Sequence, residues 1–179
     1  MEKMPTFPET EEKKTFDLYV KDFGIDLNAI KNKSIFDIGC GSDTLFVKYC
    51  LRRNISIIGM DTREPESADK DLLIDHYIQG NINQIPFPPN SFDLILIRAV
   101  PVGDYAMLKS ILPLLKPNGE LKLAPLFLDD NDLVSEEIEQ LVSSVDPQEF
   151  EVSKQIREIQ RTNSDREDTR YLLTIKRKP

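Results

Sequence analysis

A chain of 179 residues, 40% hydrophobic and 30% charged, is long enough to bury a core without disulfide or metal staples and too apolar to be disordered. Its 31 acidic against 23 basic side chains leave a net charge of -8, which opposes non-specific attraction to nucleic acid, since that attraction rests on counterion release by basic groups. Two cysteines and one histidine fall short of the about four ligands of a structural zinc site, and no apolar run reaches the about 18 residues of a membrane span.

Met1 to Lys14 is charged and contains proline, with no signal-peptide character. Reduced thiols at Cys40 and Cys50 fit a cytoplasmic protein. Thr15 to Ile30 predicts an N-terminal helix and connector broken near Gly24, within a helical segment 1–33 that precedes a core at 34–179 of a single domain. Ser34 to Ile38 is a short strand that stops at a glycine turn. Thr44 to Arg53 is then a helix with Leu45, Tyr49 and Phe46 inward, and Ser42 or Asp43 is its expected cap. Ile55 to Met60 is a second buried strand ending at Asp61, followed by a charged stretch with one short helix around Lys70 to Ile74.

His76 to Gln79 is a modest third strand, and Phe92 to Ile97 is the clearest strand in the chain. Asp104 to Leu115 is a helix disturbed by Pro113, Pro117-Asn118-Gly119 a turn, and Glu120 to Leu126 a fifth strand. Asp132 to Val145 is an amphipathic helix with Leu133, Val134, Ile138, Leu141 and Val142 inward. Phe150 to Ile159 and Arg170 to Lys176 alternate apolar and charged residues around a polar tip, as an antiparallel hairpin does. The alternation of strands and helices predicts a three-layer α/β/α sandwich around a mostly parallel seven-stranded sheet with an antiparallel C-terminal hairpin.

Asp37-Ile38-Gly39-Cys40-Gly41 joins a strand to a helix, where glycine permits a tight turn and lets a ligand approach the backbone. Asp61 ends the next strand, where an acid accepts hydrogen bonds from ribose hydroxyls. A dinucleotide site wants a third glycine, spaced G-x-G-x-x-G. Here that place is Thr44, and Asp43 adds negative charge where phosphates would lie. A cationic adenosyl ligand suits that acidic rim better.

These stretches resemble the class I, Rossmann-like, seven-stranded S-adenosylmethionine-dependent methyltransferases. The resemblance covers Ser34 to Leu126 and rests on four segments in order: Asp37 to Gly41, Asp61, Gly80 to Phe87 running on to Asn90 to Leu94, and Leu115 to Leu121. It implies S-adenosylmethionine as cofactor, with Asp37, Gly39 and Gly41 at its methionine end. It places Asp61 at the ribose, Asn81 and the Ile82 N–H at the adenine, and Arg98 near the methionine or the substrate, with Cys40 and Thr62 also among the cofactor-binding residues.

The sequence departs from the family at Asp43, at Asn81 in place of an acid, and at Ala99 to Gly103, which lacks the frequent catalytic His or acid. No catalytic residue is therefore assigned and no metal is expected. The methyl acceptor is a small molecule or a protein, with nucleic acid disfavoured by the net charge, no membrane, and room for a partner chain. Two other readings stand beside methyl transfer: an inactive binding module that keeps the fold, and an NAD-type dinucleotide enzyme. Plainer roles also exist for single residues, with Asp61 a cap, Asn81 a turn residue, Arg98 an ion-pairing residue, His76 structural and Asp104 an N-cap.

Overall fold

In a strand covered on both sides, successive side chains enter different cores. The computed structural model, which describes residues 9–66, 70–98, 106–127, 139–160 and 167–179, has this alternation along β1 (Ile35–Ile38) and β4 (Phe92–Arg98). Ile35, Leu94 and Leu96 enter one core with Phe16, Phe23 and Phe46. Phe36, Ile95 and Ile97 enter the other with Met107, Leu108 and Ile111. The centre of the sheet is buried on both faces.

Five further strands complete it: β2 (Ile57–Asp61), β3 (Tyr77–Gln79), β5 (Leu115–Phe127), β6 (Phe150–Gln160) and β7 (Glu167–Arg177). The order is β3-β2-β1-β4-β5-β7-β6. The first five strands run parallel, whereas β7 is antiparallel to both β5 and β6. This is the layered sheet with a terminal hairpin that the patterning predicts. Among the described residues no helix is long and apolar enough to cross a membrane.

The first core is closed by α1 (Glu9–Phe23) lying over α3 (Leu45–Leu51). Helix α1 begins six residues before the predicted start. Its charged first turns hold together through Lys14–Glu11 and Lys13–Asp17 pairs at 2.8 and 2.5 Å, spacings that support an exposed helical face. It ends at Gly24, which adopts φ +62 and bonds back to Val20 O. A one-turn helix α2 (Leu27–Ile30) follows, capped by Asp26, whose Oδ1 accepts from the Ala29 N–H.

Three local expectations are corrected. Leu45 is only half-buried while Phe46, Val47, Tyr49 and Cys50 are buried, because α1 covers the side of α3 that would otherwise face water. Phe16 stacks on Tyr49 at 4.4 Å and Tyr19 on Phe46 at 3.8 Å between ring centres. Neither Ser42 nor Asp43 caps α3: Thr44 holds that position in the left-handed region, with no side-chain cap bond. Strand β5 starts at Leu115, paired with Phe92, and the Pro117-Asn118-Gly119 turn is a bulge before pairing resumes at Leu94 and Glu120.

Helix α4 (Lys70–Leu73) precedes β3, and α5 (Ala106–Ile111) passes into a 3-10 turn, Leu112–Leu114, at Pro113. Of the inward positions predicted for Asp132 to Val145, Leu141 is buried and Val142 half-buried. Leu133, Val134 and Ile138 lie outside the described residues, as do Ala99 to Gly103 and Asp104. At the amino ends of the strands Asp93 Oδ2 accepts from Ser34 N–H, Ser34 Oγ and Lys116 Nζ at 2.8, 2.6 and 2.8 Å. Against the pull of burial, the bonds from Lys116 and Ser34 hold that carboxyl down at about 2. This clip lies at the opposite end of the sheet from the site.

Candidate functional site

Parallel strands present their carboxyl ends along one edge, and the loops that leave them form a crevice there. In this chain a cavity of about 300 Å³ lies at that edge. Ile38, Met60, Ile82 and Met107 give it apolar walls. Its polar rim is made by Asp61, Thr62, Asn81 and Asn83, with Gly39 and Gly80 completing the lining. Flat apolar walls with a few convergent polar groups suit a heteroaromatic ring that carries a hydroxylated sugar.

The floor continues into the glycine turn. Gly39 and Gly41 adopt φ +75 and +82, a region that L side chains avoid. A Cβ on Gly41 would also lie 3.0 Å from Asp43 Oδ1. Asp61 ties this turn to the end of β2. Its Oδ2 accepts from the Gly41 N–H at 3.0 Å, and its Oδ1 from the N–H and Nε of Arg63, each at 3.1 Å. Burial acts to raise the Asp61 carboxyl, but the bonds from Arg63 and Gly41 outweigh it and hold it below the usual range. Asp61 is therefore ionised at neutral pH and aimed at the cavity.

On the other face of β1 lies a second polar group. Asp37 is fully buried, and Tyr19 Oη donates to it from 2.9 and 3.1 Å. Burial pushes the Asp37 carboxyl up to about 7, with Asp43 and Asp61 adding to the rise, while the Tyr19 bond and Arg98 work against it. Arg98 pairs through Nε with the buried Asp22 at 2.8 Å and lies 5.5 Å from the Tyr19 ring centre. Lys122 Nζ donates to Phe23 O. Through these bonds α1 is fastened across the carboxyl ends of β1, β4 and β5.

The predicted residues thus fall into two halves around the glycine turn. Gly39, Asp61, Thr62, Asn81 and Ile82 meet at the cavity. Asp37 and Arg98 do not line it, because strand alternation turns them to the α1 face while Ile38 and Ile97 face the other core. Cys40 does not line the cavity either. Its thiol packs on Gly59, whose missing side chain leaves room: a Cβ there would lie 2.8 Å from Cys40 Sγ and 2.7 Å from Val47 Cγ2. Burial pushes that thiol far up in pKa, and the Cys40 N–H is already bonded to Met60 O.

Asn81 lines the cavity as expected, but its Oδ1 already accepts from the Asn83 N–H at 3.1 Å. One lone pair remains for a ligand. Sequence reasoning missed Tyr19, Asp22, Arg63 and Met107. The first carried a signal, since Phe16, Tyr19 and Phe23 form an aromatic stripe at helical spacing. No comparable pattern marks Arg63.

A sheet of this order, with a glycine turn after β1 and an acid at the end of β2, defines the Rossmann-like methyltransferase class of α/β domains. The family model described as "Methyltransferase domain" matches residues 36–123 of this chain. The ubiquinone/menaquinone biosynthesis C-methyltransferase UbiE of Vibrio cholerae is 32% identical over 116 residues, covering 56% of this chain and 44% of that protein. The chain thus spans under half the length of the curated relatives it matches.

Among solved structures, the 1,6-didemethyltoxoflavin-N1-methyltransferase of Burkholderia thailandensis, with bound 1,6-didemethyltoxoflavin and S-adenosylhomocysteine, shares the fold at a TM-score of 0.62. Its identity is 13%, with 96% of this chain and 80% of that one covered. A S-adenosylmethionine-dependent methyltransferase of Methanosarcina mazei shares it at a TM-score of 0.55 and 16% identity, with 83% and 93% covered.

Proposed function

We propose that this chain binds S-adenosylmethionine across the cavity and the glycine turn and transfers its methyl group to a small-molecule or protein acceptor. The observation that carries the reading is the junction at Asp61, where one ionised carboxylate borders an apolar slot and braces the glycine turn. The residues fit such a ligand from end to end. Ile38, Met60, Ile82 and Met107 take the purine, Asp61 the ribose diol, and the Gly39–Gly41 backbone the tail that leaves the ribose.

Charge supports the same choice. Asp43 and the ionised Asp61 flank the turn, which favours a cationic ligand and repels a pyrophosphate. S-adenosylmethionine supplies an activated methyl group on a sulfonium, so the chain's own residues have to bind, align and exclude water. Helix α1 does the last of these, with Tyr19 covering Asp37. The net charge of -8 supports an acceptor other than nucleic acid, and two buried free cysteines support a cytoplasmic setting.

One observation favours a second reading, an inactive binding module. Asp37 is sealed beneath Tyr19, and Arg98 is held by Asp22, so neither reaches the cavity. Binding without any methylated product across varied acceptors selects that reading. The cofactor itself is tested by thermal unfolding and calorimetry. At a hundredfold excess over its Kd, S-adenosylhomocysteine stabilises the fold by about 2.7 kcal/mol and raises Tm by about 5–10 °C, and NAD leaves it unchanged. No shift at millimolar ligand refutes the proposal.

A further inference from the structure

The ribose carboxylate is already engaged. Asp61 Oδ1 accepts two N–H groups, both from Arg63, whereas Oδ2 accepts one, from Gly41. Each carboxylate oxygen offers about two lone-pair positions, so Oδ1 is filled and Oδ2 half-filled. A ribose diol presents two hydroxyls to such a group, and one of them finds its acceptor taken.

The two Arg63 bonds differ in how firmly they are held. Its backbone is pinned, because Tyr77 Oη donates to Arg63 O at 2.5 Å and Gln79 Nε2 to Thr62 O at 3.2 Å. The Glu66 N–H bonds to Ser42 O, tying the same loop to the glycine turn. The Arg63 side chain is 65% exposed while that of Asp61 is 10% exposed. One terminal Arg63 nitrogen lies 3.9 Å from where a Gly41 Cβ would stand, so the group rests over the turn. An ion pair exposed on the arginine side is weak and easily exchanged.

We infer that the Arg63 guanidinium is a displaceable occupant of the ribose subsite that competes with the sugar diol for Asp61 Oδ1 and swings out when an adenosyl ligand binds. This rests on the adenosyl-binding reading above. In that exchange the backbone N–H groups of Arg63 and Gly41 stay on Asp61, so the carboxylate keeps its aim while the outer bond passes from guanidinium to hydroxyl. The chemical class selected is a nucleoside with a free cis-diol.

The test compares the wild-type chain with Arg63→Ala and Arg63→Lys, using calorimetry for S-adenosylhomocysteine and titration by nuclear magnetic resonance for adenosine and 2′,3′-dideoxyadenosine. Arg63→Ala binds the two diol ligands about two- to fivefold more tightly, binds the dideoxy compound no better, and unfolds at an unchanged Tm. Arg63→Lys lies between them. Equal or weaker binding of the diol ligands by Arg63→Ala overturns the inference alone, as does an equal gain for the dideoxy compound. If S-adenosylhomocysteine binds none of the three proteins, the adenosyl-binding reading itself fails and this inference falls with it.

Discussion

Asp61→Ala lowers the affinity for S-adenosylhomocysteine by about a hundredfold while the far-ultraviolet circular dichroism stays native. A hydrogen bond to a charged group contributes about 1.5–3 kcal/mol, and here one carboxylate serves both the ribose and the Gly41 N–H that shapes the turn. Removing it costs the ligand its acceptor and leaves the turn N–H without its partner. Asp61→Asn keeps one acceptor oxygen and loses the charge, so its affinity falls by about tenfold. Calorimetry measures both. An Asp61→Ala protein that binds within threefold of the wild type contradicts the assignment.

The second large effect concerns stability and has the opposite sign from most carboxylates. Burial raises Asp37 from 3.8 to about 7 in the folded chain, so between those values the native state holds a proton that the unfolded state has released. Stability from this group is present below about pH 4 and declines as pH rises through about 7. The fold is therefore weaker at pH 8 than at pH 5 by about 3 kcal/mol, at about 1.4 kcal/mol per pH unit over the titrating range. Asp61 and Asp93 have lowered values and act at more acid pH. Asp37→Asn keeps an acceptor for Tyr19 and removes the titration, so it is more stable than the wild type at pH 8 and shows a flatter profile. Urea unfolding at the two pH values measures this, and an unaltered slope in Asp37→Asn refutes it.

The two effects reflect how the sequence patterns divide. β1, β2 and β4 were legible because strands buried on both faces are near-continuous apolar runs, and the turn after β1 because its two glycines sit between a strand and a helix. Asp61 followed from its place at a strand end. The face each residue takes is harder to read: Asp37 adjoins the glycine turn in sequence, yet strand alternation sends its side chain beneath α1. Cys40 shows the same limit, since its inward direction depends on the space that Gly59 leaves one strand away.

Helix α1 was placed too late because Glu9 to Lys14 carries charges that read as a tail until Lys13, Lys14, Glu11 and Asp17 are seen as pairs on a helix surface. On α3, Phe46 and Tyr49 are buried as their pattern predicts, and only Leu45 departs, half-buried because no local pattern announces a helix packed on a helix. Arg63 escaped notice because a lone arginine in a charged loop carries no periodicity. Its meaning comes only from the carboxylate it meets.

The central claim is that the cavity at the ends of β1 and β2 seats an adenosyl ligand by its base and its sugar. A crystal structure of the complex with S-adenosylhomocysteine tests this most directly. The expected electron density places the purine between Ile82, Met60 and Met107 and both ribose hydroxyls on Asp61, with the tail running along Gly39 to Gly41. Density for the ligand elsewhere, with this cavity empty and Asp61 still holding only Arg63 and Gly41, contradicts the account.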